Sequence, residues 1–374
     1  MELAVIGRRL CEPLTGVGRY LNRLLFHWSR SDTPFDRIVV YAPSEPRLCD
    51  DVFRGQVELR VVPSTASPLV WENFSLSRSL ESADLMFGAY SVPVGRAADS
   101  VVSNLGIYES RPDDFSLAAR LRTTPIFWNS ALSARLVLAN SESTKSDVVR
   151  YFGVHPGRVA VVPLGVDEKF RPAVPPIDSL PAALQAKYQL TPEPFFLFVG
   201  KLSKRRHIPW LIEAFASVKA RTGNPERLVI VGPGETDVRS LAARFGVSEN
   251  VDHLEHVPID DLKYFYQAAH GLIHPTLHEG FSLPVVEALA CGTAVLTFDH
   301  ASLEQGLRDD VLIAEPSLAG LAEGIAMLLD PQAHASAKLA AAGVSERFDW
   351  AKTAAATMSH LVRSAANRSK GRDV

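Results

Sequence analysis

Cysteine is scarce in this chain: Cys11, Cys49 and Cys291 are the only three in 374 residues, odd in number and far apart. Such spacing builds neither a disulfide framework nor a zinc site, so the three read as small buried residues. Charge imbalance is missing as well. Lysines and arginines number 39 against 42 aspartates and glutamates, and a formal net charge of -3 leaves no electrostatic footprint for nucleic acid. No apolar run approaches the roughly 18 residues of a membrane span. The N-terminus reads as a short strand, Leu3 to Ile6, in place of a signal peptide, so a cytoplasmic protein is expected. Two motifs are absent too. No Gly-x-Gly-x-x-Gly follows the first strand, which argues against a dinucleotide-dependent dehydrogenase, and no Asp-x-Asp offers a metal site.

What remains is the composition of a globular enzyme, 47% hydrophobic and 22% charged, too long for one ordinary core and suited to two domains. Short β-rich runs alternate with amphipathic segments, the pattern of parallel sheets with crossover helices. Strands are expected at Arg37–Tyr41, Arg135–Ala139, Phe195–Val199, Leu228–Val231 and Ala294–Phe298, nearly continuous apolar runs that suit burial on both faces. After Pro209, residues Leu211, Ile212, Phe215 and Val218 recur at helical spacing and form one apolar stripe. Prolines 172, 175, 176, 181, 192 and 194 break the chain between Asp167 and Phe195. The expected division is therefore a first domain over 1–170, a proline-rich linker over 171–194, a second domain over 195–349 and a helical tail over 350–374.

The most informative run is Glu279-Gly280-Phe281-Ser282-Leu283-Pro284-Val285-Val286-Glu287. Its spacing predicts one carboxylate in a loop that Gly280 lets turn closely and a second in the first turn of a helix opened by Pro284. The amides of that helix start favour an anion, and carboxylates accept hydrogen bonds from sugar hydroxyls. A nucleotide sugar has both features. A second segment, Gly200-Lys201-Leu202-Ser203-Lys204-Arg205-Arg206-His207, follows a strand and crowds cations where a doubly wound sheet binds its ligand. Lys201 and Arg206 are the candidate pair for a diphosphate, doing the work of a metal ion. A third, Gly16-Val17-Gly18, opens a helix with the stripe Leu21, Leu24, Leu25 and Trp28, and its amides are candidates for a phosphate or sugar. The same helix carries Arg19, Arg23 and Arg30, a solvated face or a weak peripheral contact with anionic lipid. His274 and His278 flank the glutamate loop, but Pro275 interrupts any helix between them, so they read as support for the loop.

These segments, with Ala139-Asn140-Ser141-Glu142-Ser143-Thr144-Lys145, Val161-Val162-Pro163-Leu164-Gly165-Val166-Asp167 and Phe348-Asp349-Trp350, resemble in order and spacing the retaining GT-B glycosyltransferases marked by an E-x7-E motif, the mannosyltransferase-like glycosyl transferases group 1. The resemblance runs over nearly the whole chain. It implies an α/β GT-B fold of two Rossmann-like domains facing across a cleft, and a metal-independent hexosyltransferase that uses a GDP- or UDP-sugar as co-substrate, without another cofactor. The acceptor would be a hydroxyl of a glycan, a lipid-linked sugar or a small molecule, and the enzyme would be cytoplasmic or peripheral at the inner membrane face. It also implies roles: Glu279 beside the donor sugar, Glu287 on the ribose, and Gly280, Phe281, Ser282 and Leu283 offering amides to phosphate and sugar. Lys201 and Arg206 beside Gly200 would grip the diphosphate, Val257 and Pro258 would border the base ahead of a helix starting near Leu262, and Gly16, Val17 and Gly18 would contact the donor from the first domain. The tail helix would cross back to that domain.

One departure stands out. Where such enzymes often place a histidine at the end of a first-domain strand, this chain has Leu105, preceded by Asn104, so no general base is assigned. Tyr108 and Glu109, and the run Trp71-Glu72-Asn73, are acceptor-side candidates. Two rival readings stand beside the transferase: a catalytically silent GT-B subunit, and a nucleotide-sugar epimerase on the same scaffold.

Overall fold

A computed structural model describes residues 1–11, 16–46, 48, 51–80, 83–107, 117–341 and 343–370, excluding the side chains of 118, 119, 122, 123, 304, 305 and 367–370. The chain divides into two compact units, Met1–Gly165 with Asp349–Val374, and Val166–Phe348. Both are α/β units built on parallel sheets, the two Rossmann-like domains of a GT-B fold.

The first unit holds seven strands: β1 (Glu2–Ile6), β2 (Arg37–Ala42), β3 (Val57–Val61), β4 (Leu85–Ala89), β5 (Ser100–Asn104), β6 (Leu136–Ala139) and β7 (Val159–Val161). Their order is β3-β2-β1-β4-β5-β6-β7, all parallel, so the winding reverses between β1 and β4. The helix Gly16–Trp28 buries Tyr20, Leu21, Leu24, Leu25 and Trp28. Against it lies the last helix, Trp350–Lys370, tied by a hydrogen bond from Trp28 Nε1 to the Ala354 carbonyl at 3.1 Å and by the Tyr20 and Trp350 rings at 6.3 Å. Gly165 is required for this closure, because an added Cβ would lie 2.2 Å from the Trp350 nitrogen.

The second unit holds six strands: β8 (Phe195–Val199), β9 (Arg227–Val231), β10 (Val251–Leu254), β11 (Gly271–His274), β12 (Val295–Phe298) and β13 (Leu312–Ala314). The order β10-β9-β8-β11-β12-β13 is again parallel throughout and reverses between β8 and β11. On one face the helix Ile208–Thr222 lays Leu211, Ile212, Phe215 and Val218 over Phe196, Phe198 and Ile230. It stops at Gly223, whose φ of 62° only glycine adopts without strain. At about 1.5–3 kcal/mol for each large apolar side chain fully buried, such a core offsets the cost of charges buried at the strand ends. The proline-rich stretch 171–194 falls within this unit and carries a short helix of its own, Ala182–Tyr188. Among the described residues no helix is long and apolar enough to cross a membrane.

Candidate functional site

Three neighbouring strands of the second sheet end at one place. β8 leads into residues 200–207, β11 into the loop 275–282, and β12 into Asp299 and His300, and β8 and β11 are the pair between which the winding reverses. Loops at the carboxyl ends of such a pair diverge, which leaves the crevice where α/β sheets bind ligands.

After β8 the chain enters a tight turn, Lys204–Arg206, and leaves it through His207 at φ 47° into the helix that Pro209 helps to start. This turn swings Arg205 and Arg206 onto Glu279. Arg205 Nη1 lies 2.6 Å and Arg206 Nη2 2.9 Å from the same oxygen, Glu279 Oε1, and His274 Nε2 approaches it at 3.3 Å. Arg205 also donates to the His278 carbonyl at 2.8 Å. Gly200 makes the arrangement feasible: its φ is 142°, and an added Cβ would lie 1.5 Å from Arg206 Nη1.

All of this is buried, with Glu279 at 4%, Arg206 at 8% and His274 at 0% exposure. Burial alone would raise the Glu279 carboxyl, but Arg206 and Arg205, with His274, outweigh it and hold the group well below its usual range. Burial lowers the His274 pKa more than its bond to Glu279 raises it, so the imidazole is neutral. The result is a fixed carboxylate with two guanidiniums on one oxygen.

Beyond Glu279, Ser282 adopts φ 66° and starts the helix Leu283–Ala290, with Pro284 at its second position. The sequence expectation of Glu287 in the first turn is corrected here: the helix begins at Leu283, so Glu287 is its fifth residue and lies a turn further in. It is buried, and Tyr266 donates to its Oε2 at 2.9 Å. Phe281 is buried with its ring edge-on to Phe348 at 5.5 Å, so only its backbone is offered at the loop. Val257 is buried just before the helix Ile259–Ala268, which starts three residues ahead of the expected Leu262: the Pro258 carbonyl already accepts from the Asp261 and Leu262 amides, and Asp260 and Asp261 suit the first turn. Tyr266 lies on this helix, which links the Val257 stretch to Glu287.

The structure thus brings Glu279, Arg206 and Gly200 together and places Gly280 to Leu283 beside them. Lys201 is exposed, and its neighbour on the sequence, Leu202, is the residue that turns into the fold. Sequence reading passed over Arg205, although three cations directly before His207-Ile208-Pro209 have to be compacted into one turn. It also missed Tyr266, for which no local signal exists. Among the described residues no group of three histidines, cysteines or acids could hold a metal.

In the first unit, Gly16, Val17 and Gly18 open their helix as expected, with open space around Gly16. Arg23 lies over the Phe26 ring at 5.3 Å along the helix, whereas the expectation that the helix also carries Arg30 is corrected: the helix ends at Trp28, and Arg30 folds back from the turn beyond it over the same ring at 3.7 Å. At the end of β5, Leu105 is buried and Asn104 Oδ1 accepts from the Gly106 amide at 3.1 Å. Trp71 is a core residue and buried Glu72 pairs with Arg8 at 3.3 Å. Tyr108 and Glu109 lie outside the described residues, as does Cys49. Cys291 is buried, and burial with the nearby Glu287 pushes its thiol up, while Cys11 donates to the Ser44 carbonyl.

Comparison with known proteins matches the profile of "Glycosyl transferases group 1" to residues 183–344 and that of "Glycosyltransferase Family 4" to residues 14–170. The O-antigen chain mannosyltransferase B of Escherichia coli is 32% identical over 188 residues, 50% of this chain and 49% of that protein. The chain spans about half the length of the curated relatives it matches. Among solved structures, sucrose-phosphate synthase from Thermosynechococcus elongatus has a TM-score of 0.75 at 18% identity, covering 98% of this chain and 100% of that one. Anabaena Alr3699/HepE in complex with UDP and glucose has a TM-score of 0.73 at 17% identity, covering 97% and 100%.

Proposed function

The chain belongs to the glycosyl transferases group 1, and from that premise we propose that it transfers a hexosyl group, with retention, from a UDP- or GDP-sugar to a hydroxyl of a glycan, a lipid-linked sugar or a small molecule. One observation carries the reading: buried Glu279, fixed by Arg205 and Arg206 at the β8–β11 reversal, directly ahead of a helix start. The binding of UDP and glucose by HepE and the mannosyltransferase activity named for the E. coli relative support a nucleotide-sugar donor.

On this reading the diphosphate lies against the amides of Ser282 and Leu283 and the guanidiniums of Arg205 and Arg206, and Glu287 takes the ribose. As the glycosidic bond breaks, positive charge grows on the sugar and negative charge on the departing phosphate. Preplaced guanidiniums and helix amides stabilise the second without reorganising. Glu279 orients the sugar through its hydroxyls, and the departing phosphate accepts the proton of the incoming acceptor hydroxyl, so no protein base is required. The fixed cations supply the charge that a divalent ion would otherwise bring, so turnover should survive chelation.

The test is a panel of UDP-glucose, UDP-galactose and GDP-mannose, with and without EDTA, followed by release of free nucleotide and by the anomeric configuration of the product. One donor should be consumed, with retention. Binding without release from any donor would favour the silent-subunit reading, and conversion of the donor sugar with the nucleotide still attached would favour an epimerase.

A further inference from the structure

His300 lies at the carboxyl end of β12, the strand beside β11, and is 6% exposed. Its Nδ1 is 2.8 Å from Ser302 Oγ, and that hydroxyl is 3.4 Å from Ser282 Oγ at the start of the helix Leu283–Ala290. The imidazole is therefore held from behind by a side-chain relay that runs to the proposed phosphate seat. Its other nitrogen, Nε2, is buried and finds no hydrogen-bond partner among the described residues. A buried polar atom without a partner costs about 1–3 kcal/mol, so a fold that keeps one at a ligand crevice has a use for it. His274, Glu279, His278 and Asp299 are the ionisable groups that act on it, from β11, the glutamate loop and its own segment.

We propose that His300 Nε2 hydrogen-bonds a hydroxyl of the transferred sugar beside Glu279, and so helps to select and orient the donor; this rests on the transferase reading above. A hydroxyl fits better than phosphate for a reason of hydrogen-bond parity. Either Ser302 donates to Nδ1 and Nε2 carries the proton, or Nδ1 donates to Ser302 and Nε2 is an acceptor. A sugar hydroxyl can pair with Nε2 in both cases, whereas an ionised phosphate can pair only in the first. Burial pushes the His300 pKa down to about 4, so the ring is neutral at ordinary pH and suits a neutral partner. A hydroxyl there can also donate to the Glu279 carboxylate, a donor and acceptor pair that reads hydroxyl stereochemistry.

The experiment compares wild type with His300→Ala and His300→Gln by calorimetry, using UDP-glucose and GDP-mannose and then UDP and GDP. For the donor that wild type binds, His300→Ala should weaken the nucleotide sugar by about five- to tenfold, the scale of one neutral hydrogen bond, and leave the bare nucleotide within about twofold. His300→Gln, which keeps a donor and an acceptor, should recover part of the loss and also serves if the alanine variant misfolds. Among donors lacking single sugar hydroxyls, one should bind wild type and His300→Ala equally. Equal weakening of nucleotide and nucleotide sugar, or no weakening of either, would overturn the assignment. Failure of wild type to bind any nucleotide or nucleotide sugar would overturn the transferase reading and this assignment with it.

Discussion

At the β8–β11 reversal the second unit buries Glu279, Arg206, His274 and His300 around one another, whereas in the first unit the neutral amides of Asn104 and Asn140 are buried where β5 and β6 end, and among the described residues Glu72, on Arg8, is the one buried carboxylate. The two sheets have the same parallel plan and the same kind of reversal, so the difference comes from the loops. Buried charge costs several kcal/mol per ion unless it is paired with good geometry. The second unit meets that cost with two guanidiniums on one carboxylate oxygen, fixed before any ligand arrives. Neutral amides and hydroxyls ask for no such provision. A leaving group of high charge calls for the first kind of surface, and a partner that presents only hydroxyls calls for the second.

The sharpest way to break this comparison is to remove one carboxylate from each side. Glu279→Gln leaves Arg205 and Arg206 without their counter-charge, and should cost about 3–5 kcal/mol in urea unfolding and lower donor turnover by more than about a hundredfold. Glu72→Gln opposes a single guanidinium, and its cost should be smaller by half or more. Equal costs would mean that the Glu279 cluster is no more organised than an ordinary buried ion pair. Next in size is Gly200→Ala. The new Cβ would take the place of Arg206 Nη1 on a backbone at φ 142°, so the guanidinium must leave Glu279. Turnover should fall by about thirtyfold, with the variant still folding cooperatively; normal turnover would remove Arg206 from the mechanism.

How much of this was legible in the sequence follows from range. Strands such as Phe195–Val199 and Arg227–Val231 declare themselves because burial on both faces demands an unbroken apolar run, and Gly223 marks a helix end by its backbone alone. The Glu279 loop was legible because Gly280 and Pro284 are local signals. Tyr266 on Glu287 was not, since the bond joins two helices 21 residues apart and any hydroxyl or amide there would look the same in one dimension. Arg205 was hidden by its own neighbours: among four cations in six positions, only the turn decides which ones face inward. His300 was hidden for a similar reason, because its orientation depends on Ser302 and Ser282 together.

A third measurement sharpens the contrast through pH. The folded His300 pKa is about 4, against an ordinary 6.5, because burial disfavours its charged form. Its contribution to stability is therefore present above pH 6.5 and is lost as pH falls toward 4, where unfolding takes up the proton that the folded imidazole refuses. His300→Gln should flatten the stability profile in that window by the order of 1 kcal/mol per pH unit, leaving Glu279, whose depressed carboxyl titrates at lower pH, to govern the acid limb. An unchanged slope between pH 6.5 and 4 would show that the ring is charged in the folded protein.

The smallest effect is expected at Lys201, and it decides which cations the site uses. Arg205 and Arg206 are drawn to Glu279 inside the fold, while Lys201 is exposed, where salt screens a point charge within about 8–10 Å. Lys201→Ala should leave unfolding within about 0.5 kcal/mol of wild type. It should weaken donor binding by about threefold at low salt and by less at high salt, as a remote attraction would. A hundredfold loss that persists at high salt would reverse the order of importance: the exposed lysine would then be the group that closes on the diphosphate, and Arg205 would serve only to hold Glu279 in place.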